Sequence, residues 1–323
     1  MTNQFYDIKE FSTSHSSRAL FESCPRKLEM RKFYGSDARE TSHAADVGTC
    51  LHTGYQNWLQ THDEEQAVVA MMLDYPVESY FDETKNRDRS IEACYITLMN
   101  MISVDKMKNY QLATVKGLDG LEHPAIEVPF EIEVQNFKLG GEVPITYRGW
   151  IDAILYDPFR DMYMVVDVKT HRQHADDLSA KYQFDEQCLP YGLVLENILG
   201  HKVDTFEVYY FSCFIDLLKP RANFYDFQKT YAEVYDWAQG FYYHLRQVDQ
   251  FYRTGWFPRS TTGDTCFAYG KPCRFLSECA YRDHSILKQL IVAEKASHTP
   301  TDNRRGEWNP WIRIALNFGD AVE

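Results

Sequence analysis

Long apolar runs are missing from this 323-residue sequence, and no stretch of about 18 apolar residues exists that would form a membrane-spanning helix. The first residues, MTNQFYDIKEFSTSHSS, contain no apolar core segment, so no secretory signal is visible. We therefore expect a soluble cytoplasmic protein without a membrane partner. Internal repeats, low-complexity segments and a G-x-x-x-x-G-K-[ST] phosphate-binding loop are also absent. The last absence indicates that the chain carries no motor of its own.

Positive charge is scarce. Lys and Arg number 34 against 47 Asp and Glu, which gives a net charge of −13. This balance alone argues against a nucleic-acid binder, because phosphate contacts need Lys and Arg. A local basic path, or a metal ion held by acidic groups, would still allow phosphate binding. The content of 44% hydrophobic and 15% aromatic residues excludes a disordered chain, and the length allows one elaborated domain or two small ones.

The hydrophobic pattern predicts an α/β fold. Apolar residues at helical spacing predict a helical N-terminal third, over 14–34, 43–60, 63–74 and 88–110. Strands are predicted at 125–134, 145–157, 161–171 and 204–214, and further helices at 178–199, 222–255 and 283–296. This order predicts a mixed sheet core within residues 125–214, flanked by helices and followed by a Cys-rich segment at 256–282. No Gly-, Pro- or Ser-rich linker appears, so we expect a single unit over 1–323, with a tail of unknown role at 297–323.

An acid and a base interrupt the apolar strand VVDVKTHR at 165–172. Side chains alternate across a strand, so Asp167 and Lys169 project to the same face. Asp152, in the preceding strand RGWIDAILYD, would lie beside them across a hairpin. Two converging carboxylates suit Mg²⁺ or Mn²⁺, and a nearby Lys can orient an attacking water and stabilise charge on a phosphate. The competing interpretation is an Asp–Lys ion pair at a strand end, which is the more frequent meaning of an isolated D-x-K.

Further motifs resemble those of a known family. RGWID followed by VVDVKT resembles the GxxD…DxK core of PD-(D/E)XK nucleases of the RecB class. GTCLH (48–52) resembles the upstream Gly-x-x-x-His helix motif, and QCLPY (187–191) resembles the Q-x-x-x-Y motif on the helix after the DxK strand. The four motifs occur in the expected order, and the resemblance spans residues 14–282.

The resemblance implies a restriction-endonuclease-like fold and a set of roles. His52, Asp152 and Asp167 would bind one or two divalent ions, and Lys169 would orient or activate the water. Gln187 and Tyr191 would contact DNA or the lysine. The same side chains have ordinary interpretations as well, since His52 alone would be a common helix histidine and the Gln187–Tyr191 pair a polar helix stripe. Glu127, in AIEVPFEIEV, is either a solvated strand residue or a further carboxylate of the site.

Eight cysteines divide into two sets. Four lie in apolar helix or strand patterns and are expected to be small buried hydrophobic residues: Cys50, Cys94, Cys188 and Cys213. The others lie at the two ends of the chain, one in ESCPRK and three in TCFAYGKPCRFLSEC: Cys24, Cys266, Cys273 and Cys279. This second set resembles the iron–sulfur subset of RecB-like nucleases, which includes AddB and CRISPR-associated nucleases. The resemblance implies a [4Fe–4S] cluster that staples segments 14–34 and 256–282 together.

The spacing of the C-terminal cysteines departs from that subset. Six residues separate Cys266 from Cys273, where the family pattern has two, whereas the five residues between Cys273 and Cys279 fit. A Cys₄ zinc site is the alternative cofactor.

Basic residues accompany the predicted site in three segments. They are Arg26, Lys27, Arg31 and Lys32 beside Cys24, Arg148 near Asp152, and His171, Arg172 and His174 after Lys169. Together with the motifs they predict a metal-dependent DNA nuclease, and the family resemblance implies an exonuclease acting on single-stranded ends. Without a motor motif, the chain is expected either to act alone or to have a separate helicase or recombination protein as its partner. The alternative function is a non-catalytic DNA-binding adaptor stapled by the cluster or by zinc.

Overall fold

The computed structural model describes residues 5–35, 43–75, 90–107, 109–171, 178–217, 219–260, 262–267, 272–279, 284–289 and 308–318. These residues form α-helices, a π-helical turn at Glu29–Phe33, and ten β-strands. The helices are α1 (His15–Ser23), α2 (Pro25–Leu28), α3 (His43–Thr61), α4 (Glu64–Asp74), α5 (Ile91–Val104), α6 (Ser179–Gln183), α7 (Pro190–Leu199), α8 (Tyr231–Thr254), α9 (Gly263–Cys266) and α10 (Leu276–Cys279). The strands are β1 (Phe11–Thr13), β2 (Gln111–Leu112), β3 (Thr114–Lys116), β4 (Glu122–Pro124), β5 (Ile126–Leu139), β6 (Val143–Asp157), β7 (Met162–His171), β8 (Thr205–Phe214), β9 (Arg221–Thr230) and β10 (Ile312–Leu316).

The chain divides into two compact units. Residues 1–38, 131–149 and 236–323 form the first unit, and residues 39–130 and 150–235 form the second. Strands β5 and β6 each contribute one part to either unit. The expectation of a single unit over 1–323 stays a prediction about folding behaviour.

A mixed sheet organises the second unit. The C-terminal half of β6 pairs antiparallel with β7, β7 pairs parallel with β8, and β8 pairs antiparallel with β9. Helices cover both faces of these strands. This arrangement confirms the predicted α/β class with a mixed sheet flanked by helices.

Period-two alternation in the strands separates the two faces of this sheet. On one face, Val166 and Val168 of β7 and Phe211 of β8 join a buried cluster with side chains of α3, α4 and α5. On the other face, Tyr210 of β8 stacks on Tyr182 of α6, with ring centroids 4.7 Å apart. Asp167 and Lys169 alternate with the valines and therefore point towards α6 and α7.

The first unit is built around aromatic packing. Strand β1 runs parallel to the N-terminal half of β6, with Phe11 opposite Ile145, and β10 lies beside β5. Tyr6 stacks on Tyr252 of α8 with ring centroids 5.4 Å apart. The described part of the tail belongs to this unit, since β10 adds a strand and Phe318 is buried.

Two predicted helices were wrong in part. Residues 221–230 form strand β9, and the long helix begins only at Tyr231. The aromatic-rich segment pairs with β8 along its whole length, and this pairing overrides its helical pattern. The predicted helix 178–199 is interrupted between Gln183 and Pro190. Pro190 has no N–H to donate, so it begins a new helix at its first position.

The other predicted elements are present, and some of their ends differ, since the predicted helix 88–110 ends at Val104 and the predicted strand 125–134 continues to Leu139. Of the predicted helix 283–296, residues 284–289 are described and are helical. Within the described parts of the chain, no helix is both long and apolar enough to span a membrane.

Candidate active site

Strands β6 and β7 separate at the predicted site. Their antiparallel ladder begins at the β-turn and ends with the pair Ala153–Val166, while β7 continues alongside β8 as far as His171. Beyond the last pair, the N–H of Val168 donates to Asp152 Oδ2 at 2.7 Å. A carboxylate therefore replaces the backbone carbonyl that a continued ladder would supply. We call this point, with Asp152 on one strand and Asp167 on the other, the fork.

Asp167 and Lys169 form an ion pair in the fork. Lys169 Nζ lies 2.7 Å from Asp167 Oδ2, and the Asp167 side chain is only 1% exposed. Gln187 bridges the two groups, because its Nε2 donates to Asp167 Oδ1 at 3.1 Å and its Oε1 accepts from Lys169 Nζ at 2.7 Å. Gln187 lies in the turn that precedes α7 and not on the helix. From this turn the Gln187 amide still contacts Asp167 and Lys169 of β7.

Tyr191 connects this group to β6. Its hydroxyl donates to the carbonyl of Trp150 at 3.1 Å and lies 3.4 Å from Gln187 Nε2. Burial raises the pKa of Tyr191 far above its ordinary value, so the hydroxyl stays protonated. Tyr191 thus acts as a fixed support for Gln187.

The electrostatics of the fork favour a bound cation. Burial raises the pKa of Asp167 to about 6, the Asp152 carboxylate adds to this rise, and Lys169 opposes it. Burial works to lower the pKa of Lys169, but the carboxylates of Asp167 and Asp152 outweigh it and keep the ammonium charged. Asp167 Oδ2 contacts Lys169 yet receives no hydrogen bond of good geometry. A buried carboxylate needs a cationic or hydrogen-bonding partner, and for this oxygen the Lys169 ammonium is that partner.

Helix α3 delivers His52 to the fork. Its Nδ1 lies 3.7 Å from Asp152 Oδ2. Four residues earlier, α3 approaches β7 so closely that a Cβ on Gly48 would lie 2.8 Å from Thr170 Oγ1. The lack of a side chain at Gly48 is therefore what allows the helix to pack at this distance.

Glu127 completes a group of three possible metal ligands. One ligand atom each from His52, Glu127 and Asp152 lie within 4.8 Å of one another. The placement follows from strand register, because the N–H of Ile154 donates to the carbonyl of Ala125 at 2.9 Å. Glu127 lies on β5, two residues after Ala125, and Asp152 lies on β6, two residues before Ile154. Asp152 is therefore flanked by a carboxylate on either neighbouring strand.

The backbone of Glu127 is strained. Its φ is 47°, in the left-handed region, which costs a residue with a side chain about 1–2 kcal/mol. Gln56 Nε2 donates to Glu127 Oε1 at 2.7 Å. Strain of this kind persists where the surrounding structure fixes the residue, and it is frequent at ligand sites.

This set of donors fits Mg²⁺ or Mn²⁺. Carboxylate oxygens are the preferred ligands of these ions, and Glu127 and Asp152 supply two carboxylates beside the His52 imidazole. Asp167 does not join His52 and Asp152 within the same 4.8 Å limit, and the described residues contain no second group of this kind. The metal-ligand roles of His52, Asp152 and Asp167 stay predictions. Glu127 is a candidate ligand that sequence patterns left undecided.

All four end-of-chain cysteines belong to the first unit. Cys24 is buried, and its sulfur accepts a hydrogen bond from the N–H of Ser260 at 3.3 Å. Burial raises the pKa of Cys279, and Cys24 and Cys273 raise it further, whereas Arg259 and Arg26 lower it. The N–H of Cys273 donates to the carbonyl of Cys266 at 2.6 Å. The other four cysteines are fully buried, which confirms their expected place in the core.

The basic residues singled out by sequence have varied partners. Arg148 pairs with Glu10 and Glu131 within the first unit, at 2.6 and 2.7 Å, and Arg26 pairs with Glu29. Their charges are therefore used in structural ion pairs. Lys27 Nζ donates to the carbonyl of Thr265 at 3.0 Å. His171 bonds to Ser212 at 2.6 Å, and Arg172 and His174 lie outside the described residues.

Comparison with known proteins places these features in a family. The sequence model of the PD-(D/E)XK nuclease superfamily matches residues 12–283. No curated protein matches the sequence. Among solved structures, one named "Putative exonuclease" from Eubacterium rectale is 15% identical, with a TM-score of 0.46, and covers 87% of this chain and 98% of its own. A second, named SSO0001, is 16% identical, with a TM-score of 0.24, and covers 74% of this chain and 83% of its own.

Proposed function

Because the chain belongs to the PD-(D/E)XK nuclease superfamily and is a phosphodiesterase of that class, we propose that it is a divalent-metal-dependent deoxyribonuclease that acts on single-stranded ends. The observation that carries the proposal is the fork. Asp152, Asp167 and Lys169 lie together on separating strands, with His52 and Glu127 beside them. An ion pair at a strand end would need neither the histidine nor the third carboxylate.

His52, Glu127 and Asp152 would hold a divalent ion, with Asp167 facing it from the next strand. The ion would supply Lewis-acid stabilisation of the phosphate and of the leaving oxygen. Fixed hydrogen bonds keep the ligands in place before binding, since Asp152 accepts from Val168 and Glu127 accepts from Gln56. This preorganisation lowers the cost of bringing several negative charges together around the ion.

Lys169 would orient the attacking water and stabilise the negative charge that grows on the phosphate. Its ammonium stays charged beside Asp167, so it serves as a hydrogen-bond donor and not as a base. Gln187 holds the ammonium by its amide oxygen and holds Asp167 by its amide nitrogen. Tyr191 in turn anchors Gln187. These contacts would hold the Lys169 ammonium in a fixed position relative to the bound phosphate.

An exposed aromatic ring supports action on unpaired strands. Phe184 is 78% exposed in the turn that leads to Gln187. Exposed rings of this kind stack on unpaired bases irrespective of sequence. The preference for the ends of single strands is implied by the family resemblance.

A [4Fe–4S] cluster held by Cys24, Cys266, Cys273 and Cys279 is the second part of the proposal. The four sulfur donors, all among the described residues, lie in one unit, where no three of them lie within 4.8 Å of one another, and Cys24 and Cys273 both raise the pKa of Cys279. Arg26 and Arg259 near Cys279 would offset the negative charge of a cluster ligated by thiolates. The N–H of Ser260 directed at Cys24 is the kind of hydrogen bond that tunes cluster potential. Zinc with four thiolates stays the alternative.

The proposed activity is tested with end-labelled linear and covalently closed circular single-stranded DNA, incubated with Mg²⁺ or Mn²⁺. An exonuclease degrades the linear strand to short products and leaves the circle intact. Degradation of both substrates would show an endonuclease. Binding of both without cleavage would favour the non-catalytic adaptor. A chelator and the Lys169→Met variant serve as negative controls.

A further inference from the structure

Gln56 lies one helical turn after His52 on α3. Residues four apart share a helix face, so the face that presents His52 to the fork also presents the Gln56 amide. That amide donates to Glu127 Oε1 at 2.7 Å. One helix thus supplies a ligand and also contacts a second candidate ligand on a different element.

Glu127 needs such a contact more than its neighbours do. Asp152 is a short side chain and is fixed by the N–H of Val168. Glu127 has a longer, more flexible side chain, and its backbone leaves the extended conformation at φ 47°. A hydrogen bond to one oxygen fixes the carboxylate and leaves its second oxygen for a cation.

The chemical type of the donor also matters. A Lys or Arg at position 56 would neutralise Glu127 and compete with a metal ion for it. A neutral amide orients the carboxylate without cancelling its charge. Donors beyond the ligands that orient a metal ligand in this way commonly change metal affinity 10–100-fold.

We propose that Gln56 is a positioning residue that holds Glu127 as the third ligand of the divalent ion, beside His52 and Asp152. The proposal rests on the metal site of the proposed function. It adds a carboxylate and its support that the sequence motifs do not contain.

The test is a titration of the full-length protein with Mn²⁺ by calorimetry, using Gln56→Met, which keeps the length of the side chain and removes the donor. We expect Gln56→Met to bind Mn²⁺ 10–100-fold more weakly than the unaltered protein. Gln60→Met, an exposed Gln one turn further along α3, is the matched control and should bind normally. The thermal midpoints of the metal-free variants show whether each is folded.

A double-mutant cycle separates positioning from a general structural effect. Glu127→Gln should weaken binding at least as much as Gln56→Met, and adding Gln56→Met to Glu127→Gln should cause little further loss. Normal Mn²⁺ affinity in folded Gln56→Met, or additive losses in the cycle, would overturn the proposal. Failure of the proposed function has a different signature: the unaltered protein would bind Mn²⁺ and cleave no DNA.

Discussion

The two candidate cofactor sites of this chain are built in opposite ways. At the fork, each candidate ligand sits on a long strand or helix, and most of the polar atoms already have partners within the protein. At the cysteine site, Cys266 and Cys279 each belong to a four-residue helix, and the Ser260 N–H donates to the Cys24 sulfur. The sheet holds the first site in shape without its ion. The second has little regular structure to hold its ligands, so we expect its cofactor to contribute to its stability.

Removing charge at the fork should therefore abolish chemistry while leaving the fold. We expect Lys169→Met and Asp167→Asn each to lower the cleavage rate at least ~1,000-fold, because Lys169 would stabilise the reacting phosphate and Asp167 would face the ion and hold the ammonium. Each replacement removes one partner of the Asp167–Lys169 ion pair, so we also expect a lower thermal midpoint, which is measured to show that each variant is folded at the assay temperature. Single-turnover cleavage of labelled DNA measures the effect, and Lys181→Met, on exposed α6, is the control. Near-normal turnover in either folded variant would remove that residue from the catalytic group.

Removing the charge of one candidate ligand should weaken metal binding without unfolding the protein. Asp152→Asn removes the carboxylate that lies between Glu127 and Asp167, so we expect about a 100-fold loss in Mn²⁺ affinity together with a loss of rate. Calorimetric titration checks this, with Asp226→Asn on exposed β9 as the control. An unchanged titration would exclude Asp152 as a ligand.

At the cysteine site, the same type of change should affect stability. Cys24→Ala should lose iron and visible colour, lower the thermal midpoint, and expose both chain ends to protease, because a cluster there closes a very long loop. Cys94→Ala, in the core of the second unit, should keep its full iron content. Iron and zinc analysis of purified protein decides between the two cofactors. A Cys24→Ala protein with full metal content would show that other ligands hold it.

The pH dependence of stability should have opposite signs in the two units. Asp167 has its pKa raised to about 6, so the metal-free fold loses stability as pH rises from about 4 to 6. Burial lowers the pKa of His244, in the first unit, to about 4, so that unit loses stability as pH falls from about 6.5 to 4. Each group contributes at most about 3 kcal/mol.

Denaturant unfolding across this pH range, on metal-free protein, tests both slopes. Asp167→Asn should raise stability above pH 6 relative to pH 4, and His244→Phe should reduce the loss on acidification. Unchanged pH profiles in both variants would contradict the burial-based assignment. Added Mn²⁺ should reverse the first slope, because the ion binds the ionised carboxylate.

Sequence reasoning reached the fork because its signals are local. Alternation places Asp167 and Lys169 on one face, and a turn between two strand patterns predicts that Asp152 lies opposite. The structure brings these residues together with His52, Gln187 and Tyr191. Glu127 escaped a firm prediction because its place depends on the register between β5 and β6 and on a left-handed backbone, and neither leaves a local pattern. Strand β9 was missed for a related reason, since pairing with β8 decided its conformation.

The central claim, that the fork binds a catalytic divalent ion, is tested most directly by anomalous X-ray scattering from crystals soaked in MnCl₂. We predict a manganese peak within coordination distance of His52, Glu127 and Asp152, and its loss in Asp152→Asn crystals. A crystal that shows no manganese at these residues under conditions in which the enzyme cleaves DNA would contradict the account.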